Sequence, residues 1–407
     1  LGLVGSEMCI RDREWTPKQR ELLLAHRIER DPQTQSLVRK LATLDKQIQA
    51  LVPDTTLIMV ELPAPRTSTI FIRGDYQQPG EAVEPDVPSA LQVVGTDSSS
   101  EDALNRLDLA RWLVARDNPL VARVTVNRWW AELFGQGIVT TPEDFGIKGE
   151  APTHPLLLDW LAVEFMDNGW SMKHLLKTIV MSSTYQQSSA VTAEMLEQDP
   201  QNRWLARGPR SRMDAEMIRD NALAISGLLS LKPGGPPIRP YQPKGIWTKV
   251  GGQAYDYETS PGAEQYRRGI YVVLKRGSPY PSFVNFDATS RLACTVKRSR
   301  TNTPLQALTL LNDPVYVACA QSLAERVMAE MPGSRLDLQL EYAFQLCTAR
   351  TPTAGEVATL RQLFDDQLAA SLASASQQEV TETAARTAAW TSVASVLLNL
   401  HETITKD

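Results

Sequence analysis

At 407 residues, with 43% hydrophobic and 22% charged side chains, the chain can bury a sizeable core and is long enough for two or three domains. A net charge of −5 argues against a dedicated nucleic-acid binder, and no run of about 18 apolar residues is present to span a membrane. The four cysteines, Cys9, Cys294, Cys319 and Cys347, are too few for a disulfide framework and lack the C-x-x-C spacing of zinc or haem attachment, so no metal is expected.

The first thirteen residues, LGLVGSEMCIRDR, show neither helical nor strand periodicity and read as a non-native, adapter-like segment. The chain is therefore expected to be a fragment of a longer protein. Residues 14–53 predict a helical hairpin linker broken at Asp31-Pro32, with Asp31 capping the second helix. In that helix Leu37, Leu41, Leu44, Ile48 and Leu51 repeat at spacings of four and three, a heptad seam. Two heptads are short for an independent coiled coil, so the hairpin is expected to lean on the main body or on upstream sequence. Residues 54–100 predict a short β-hairpin, pairing Leu57–Glu61 with Thr69–Arg73, followed by an extended linker rich in Pro, Gly, Asp and Ser.

Residues 101–407 predict a mainly helical domain. Helices are expected over Leu104–Arg116, from Asn118 to Phe134 with Gly135 as the stop, over Pro155–Met166 and Met172–Tyr185 around Asn168-Gly169, over Ser211–Leu229, and from Pro304 almost to the end. Trp112, Trp129 and Trp130 fall on these helices as core. The fold class is thus mainly α: a multi-helical domain with a small β-hairpin and a long irregular insertion, about 232–300, carrying minor β such as a strand at Gly269–Leu274.

That insertion coincides with a charge reversal. Residues 201–300 hold 17 Lys and Arg against 7 Asp and Glu, together with six of the ten tyrosines. Positive charge interleaved with aromatics suits an anionic or sugar-like ligand. It equally suits a basic segment whose partners are acidic helices of the same chain. The candidate ligand-binding residues are Lys275, Arg276, Arg298 and Arg300 for charge, and Tyr255, Tyr257 and Trp247 for stacking. Arg300 precedes Thr301-Asn302-Thr303-Pro304, a helix entry whose free N–H groups could receive an anion.

Catalytic motifs are not evident: the sequence has no G-x-S-x-G elbow, Walker loop, G-x-G-x-x-G or H-E-x-x-H. A few catalytic candidates remain. His154, at a helix mouth, could act as a neutral base or simply close the helix start. Asp256 and Glu258 could form a carboxylate pair or be solvated acids paired with Arg267 or Arg268, and Glu143-Asp144 is a separate pair elsewhere in the chain.

Five blocks in order, NRWWAELFGQGIV, TPEDFGIKGEAPTHPLLLDWLAVEFMDNGWSMKHLLKTIVMSSTYQ, RRGIYVVLKR, RSRTNTPLQALTLLNDP and WTSVASVLLNLHE, resemble the carboxy-terminal domain of planctomycete cytochrome-c-associated proteins, domain of unknown function 1553. The resemblance implies a larger exported protein, periplasmic or in the cell envelope, with haem c carried only by an upstream module and no cofactor in this chain. It carries over no catalytic residue. The expected role is a binding or scaffold domain for an anionic polysaccharide or an acidic partner domain; a polysaccharide hydrolase or lyase is the alternative. Docking on the upstream domains would require an exposed apolar patch near Thr16–Leu51. Neither nucleic acid nor a membrane span is expected.

Overall fold

The computed structural model describes residues 15–51, 56–60, 62, 66–91, 104–245, 257–375 and 381–406. The chain divides into two units, residues 1–84 and 85–407. In the first, Pro17–Arg30 (α1) and Pro32–Ala50 (α2) form the hairpin. Thr16 and Gln19 close a capping box on α1, and Asp31 accepts the Thr34 amide at 3.0 Å to start α2, with Pro32 in its first turn. The seam of α2 is open: no residue of the helix is buried.

The β-hairpin of this unit differs from the expected one. Ser68–Phe71 (β1) pairs antiparallel with Pro79–Val83 (β2), Ser68 opposite Val83 and Thr69 opposite Ala82. Residues 56–60 form no strand, and Glu61 lies outside the described residues. The partner comes instead from the Pro- and Gly-containing stretch expected to be linker. Its Asp75 side chain accepts the Gln77 amide at 2.9 Å and the Gln78 amide group at 3.0 Å, making a turn that brings the nearer segment back first.

The second unit is helical. Arg106–Leu113 (α3), Val121–Phe134 (α4), Pro155–Asp167 (α5), Met172–Val180 (α6) and Ala193–Gln198 (α7) come first. Asn118 does not begin α4 itself; its side chain accepts the amides of Leu120 and Val121 just before the first turn. Gly135 ends α4 at φ +79°, the left-handed stop expected of it. Val126, Trp130, Leu158, Leu161, Phe165, Leu175 and Ile179 form one apolar core among α4, α5 and α6. Trp130 stacks on Phe134 with centroids 4.1 Å apart. Trp112 is only half-buried and donates to the Leu91 carbonyl at 3.0 Å.

A short strand, Ser211–Arg212 (β3), leads into Ala215–Ser226 (α8). After the irregular region come Pro281–Asn285 (α9), Pro304–Asn312 (α10), Pro314–Glu330 (α11), Leu336–Thr348 (α12), Ala354–Ala375 (α13) and Glu382–Leu398 (α14), then Thr405–Lys406 (β4). β4 pairs antiparallel with β3. A larger core joins α8 to the helices after it, through Leu223, Tyr316, Leu323, Val327, Leu340, Phe364, Trp390, Val393 and Leu397. Cys319 and Cys347 are buried in it as free thiols, and burial pushes them up to about 11 and about 12.

The segment Gly269–Leu274 is not a ladder strand. Gly269–Tyr271 forms a 3-10 turn, after which Val272 makes one parallel bridge to Ile238. Gly269 sits so close to α8 that a Cβ there would lie 2.9 Å from the Glu216 Cβ and 3.0 Å from its carbonyl oxygen. Only glycine allows that approach. The described chain is mainly α, with two small antiparallel pairs. No described helix is long and apolar enough to cross a membrane.

Candidate functional site

The basic zone is largely bound into its own unit. Arg219, placed by its helical pattern among the polar positions of α8, is 1% exposed. Its guanidinium donates to the carbonyls of Arg267 at 2.8 Å and Gln265 at 2.6 Å. The adjacent Asp220 accepts the Gly269 amide at 2.6 Å, and burial raises its carboxyl above the usual aspartate value. Arg267 is itself wholly buried. It gathers the Pro/Gly loop by donating to the carbonyls of Lys232 at 3.3 Å, Gly234, and Pro236 at 3.2 Å. Its guanidinium also lies 4.0 Å over the Tyr271 ring and 3.5 Å from Glu264. Arg267 and Arg268 thus meet Glu264 and Asp220 among the described residues, Arg268 at 3.8 Å.

Arg298 is the clearest internal clasp. It makes a two-pronged contact with Glu216, at 2.6 and 3.0 Å, and reaches Asp214 at 3.8 Å. Burial pushes the Glu216 carboxyl up, but the Arg298 guanidinium outweighs this and holds it below the ordinary glutamate value. The two side chains are 26% and 24% exposed, so the pair is shielded from solvent screening. A double-mutant cycle with Arg298→Ala and Glu216→Gln should return a coupling of about 1–3 kcal/mol in urea unfolding. Because the folded pKa is depressed, this contribution is present above the unfolded value near 4.5 and fades as pH falls through the folded one. Glu216→Gln should flatten that acid limb.

Arg300 lies at the carboxyl end of α4. A Cβ on Gly135 would sit 3.4 Å from its Nη1 and 3.3 Å from the Ser211 Cβ. Lys406, opposite Ser211 in the β3–β4 pair, donates to the Glu132 carbonyl in the same last turn at 2.9 Å. Cations at that end complement the helix dipole. Burial, and then Arg300, hold the Lys406 amine below its usual value.

Beyond Arg300, Thr301 is held by the chain itself, while Thr303, which precedes α10, makes no side-chain cap bond. Asp287 accepts the Thr301 amide at 2.7 Å and its hydroxyl at 2.9 Å. Arg212 donates to the Thr301 carbonyl at 2.8 Å, to Asn302 at 3.0 Å and to the Gln306 side chain. What an external anion could have met at Thr301 is met by this chain's own carboxylate.

The remaining candidates are dispersed. Arg276 is exposed and Lys275 half-buried. The Tyr257 hydroxyl donates to the Pro240 carbonyl at 2.5 Å, and burial pushes it up to about 12. Trp247, Tyr255 and Asp256 lie outside the described residues; Glu258 is exposed. His154 precedes α5 without a side-chain cap bond, its Nδ1 3.0 Å from the Thr153 hydroxyl. Asp144 accepts the Gly146 amide at 2.7 Å in a local turn. Among the described residues no group of three or more His, Cys, Asp or Glu could hold a metal ion.

A different feature stands out at the surface. Residues 290–297 and 299–303 are exposed, anchored between them by Arg298 and at the far end by Thr301. They present Arg291, Lys297 and Arg300 beside Leu292 at 72% and Val296 at 44% exposure. The RLACTVKRSR string carries the charge signal, but nothing in its spacing shows that Arg298 turns inward while its neighbours face out.

The architecture defines a mainly helical unit carrying an arginine-anchored irregular insertion. A family model described as PSD1, Protein of unknown function (DUF1553), matches residues 105–364, and the chain belongs to that family. No curated protein and no solved structure matches the chain.

Proposed function

We propose that this chain is the binding or scaffold part of a larger exported protein of the planctomycete cytochrome-c-associated type, and that it engages an acidic protein segment through the loop 290–303. The observation that carries the reading is the pairing of outward cations with outward apolar side chains on a loop clamped at Arg298 and Thr301. A purely anionic polysaccharide would use the charge of Arg291, Lys297 and Arg300 but leave Leu292 and Val296 unused. An acidic segment with apolar residues would use both. Clamping lowers the ordering cost of binding.

The test is titration of the full chain with an acidic amphipathic peptide and, separately, with a sulfated glycan, at low and high salt. Peptide binding should weaken with salt and fall by about tenfold in Arg291→Glu/Lys297→Glu, with a further loss in Leu292→Ser. Glycan binding indifferent to Leu292→Ser would favour the polysaccharide reading. Binding of neither ligand, or binding unmoved by these substitutions, would remove the loop from consideration.

A further inference from the structure

The α1–α2 hairpin of the first unit leaves its apolar side chains in water. Leu37, Leu41, Leu44, Ile48 and Leu51 of the α2 seam are 60, 59, 45, 63 and 72% exposed. Leu22, Leu23, Leu24 and Ile28 of α1 are exposed as well. The α2 residues recur along one face of that helix, and an exposed apolar stripe of this kind marks an interaction surface.

The seam specifies its occupant. With spacings of four and three, Leu37, Leu44 and Leu51 take the d positions of a heptad, and Leu41 and Ile48 the a positions. Leu at every d, with β-branched Ile48 at one a, favours two parallel strands. The flanks agree. Lys40 stands at g and Asp45 at e of the next heptad, both exposed and without an ion pair among the described residues. In a parallel pair, g of one helix faces the following e of the other, so Lys40 meets the second copy's Asp45 and the reverse, two unlike contacts. An antiparallel pair sets g against g and e against e, and brings no opposite charges together. The α2 surface is therefore complementary to itself.

We propose that the α1–α2 hairpin is a self-association surface, on which a second copy of this chain seats its own α2 in parallel register. Two heptads alone would be marginal. Leu24 and Ile28, four residues apart on one face of α1, can enlarge the buried area, and the assembly becomes a four-helix one with a two-fold axis.

Sedimentation equilibrium on the full chain tests this. The unsubstituted chain should reach dimer mass. Lys40→Glu sets carboxylate against carboxylate across the parallel pair, and Asp45→Lys sets amine against amine, so each should weaken dimerisation by about tenfold. The double exchange Lys40→Glu/Asp45→Lys should restore it. Mixing the two single variants should yield a heterodimer, because both contacts then become unlike. Loss in the single variants with recovery in the double one is specific to parallel register; an antiparallel pair keeps like charges together in all of these homodimers. Leu44→Asp should abolish dimerisation, with circular dichroism confirming that helix content is retained. A monomeric unsubstituted chain would overturn the proposal and leave the seam to another occupant, such as the second unit or an upstream module. A dimer indifferent to Leu44→Asp or to the charge exchanges would overturn it equally.

Discussion

Arg267→Met should lower the stability of the second unit by about 3–5 kcal/mol, seen as a shifted urea midpoint in far-UV circular dichroism. The arginine is wholly buried, and its guanidinium serves the carbonyls of Lys232, Gly234 and Pro236. Methionine fills similar space but donates nothing, so the carbonyls of this exposed loop lose the buried group that ties them down. A hydrogen bond from a charged group contributes about 1.5–3 kcal/mol, and three are lost. Loss of the clamp should also open the 232–236 loop to limited proteolysis before global unfolding. Arg268→Met is the control. That side chain is 59% exposed and reaches Asp220 only at 3.8 Å, so its loss should cost less than about 1 kcal/mol. Equal effects at the two neighbours would refute the clamp.

Trp390→Ala should be about as damaging, at about 3–5 kcal/mol in thermal or urea unfolding. Trp390 is fully buried on α14, with its ring 5.5 Å from Phe364 of α13, so truncation leaves a void between two helices that pack along their lengths. Its indole N–H has no hydrogen-bond partner among the described residues. Trp390→Phe removes that unmet donor along with part of the volume, and should therefore lose well under half as much as the alanine variant. If phenylalanine is as harmful as alanine, packing volume is not what this position supplies.

Much of the helical frame is legible in the sequence because its signals are local. Asp31 before Pro32, Gly135 after Phe134 and the Asn168-Gly169 turn each act through the backbone of their nearest neighbours, and each stands where periodicity places it. The hairpin partner is not legible in this way, because strand pairing is not local: Pro79 and Gly80 argue against a strand by propensity, yet the turn at Asp75 delivers them to β1. Gly269–Leu274 has the β-branched composition of a strand, but contact between Gly269 and Glu216 turns it tightly at the start.

The site is legible only as a charge excess. Arg219 and Arg267 carry no mark in the sequence that distinguishes them from surface arginines, because what buries them is a set of backbone carbonyls contributed by aperiodic loops. Arg298 and Arg300 stand two residues apart, yet one is held by Glu216 and the other lies by the end of α4. That division depends on where α8 and α4 come to rest, which no spacing within the string encodes. The structural and ligand-binding readings of the zone therefore apply to different residues of it.

The joining of β3 and β4 has a kinetic consequence. Lys406 faces Ser211, and Asn221 of α8 donates to the Thr403 carbonyl, a partner 182 residues along the chain. Such closures carry a large loop entropy and form late. During synthesis, α8 would emerge long before the strand that completes it, and its apolar face would wait for α11 and α14. Refolding of the second unit should accordingly be slow, with a helical intermediate populated before β3 and β4 pair, which stopped-flow circular dichroism would register as a fast phase ahead of the slow one.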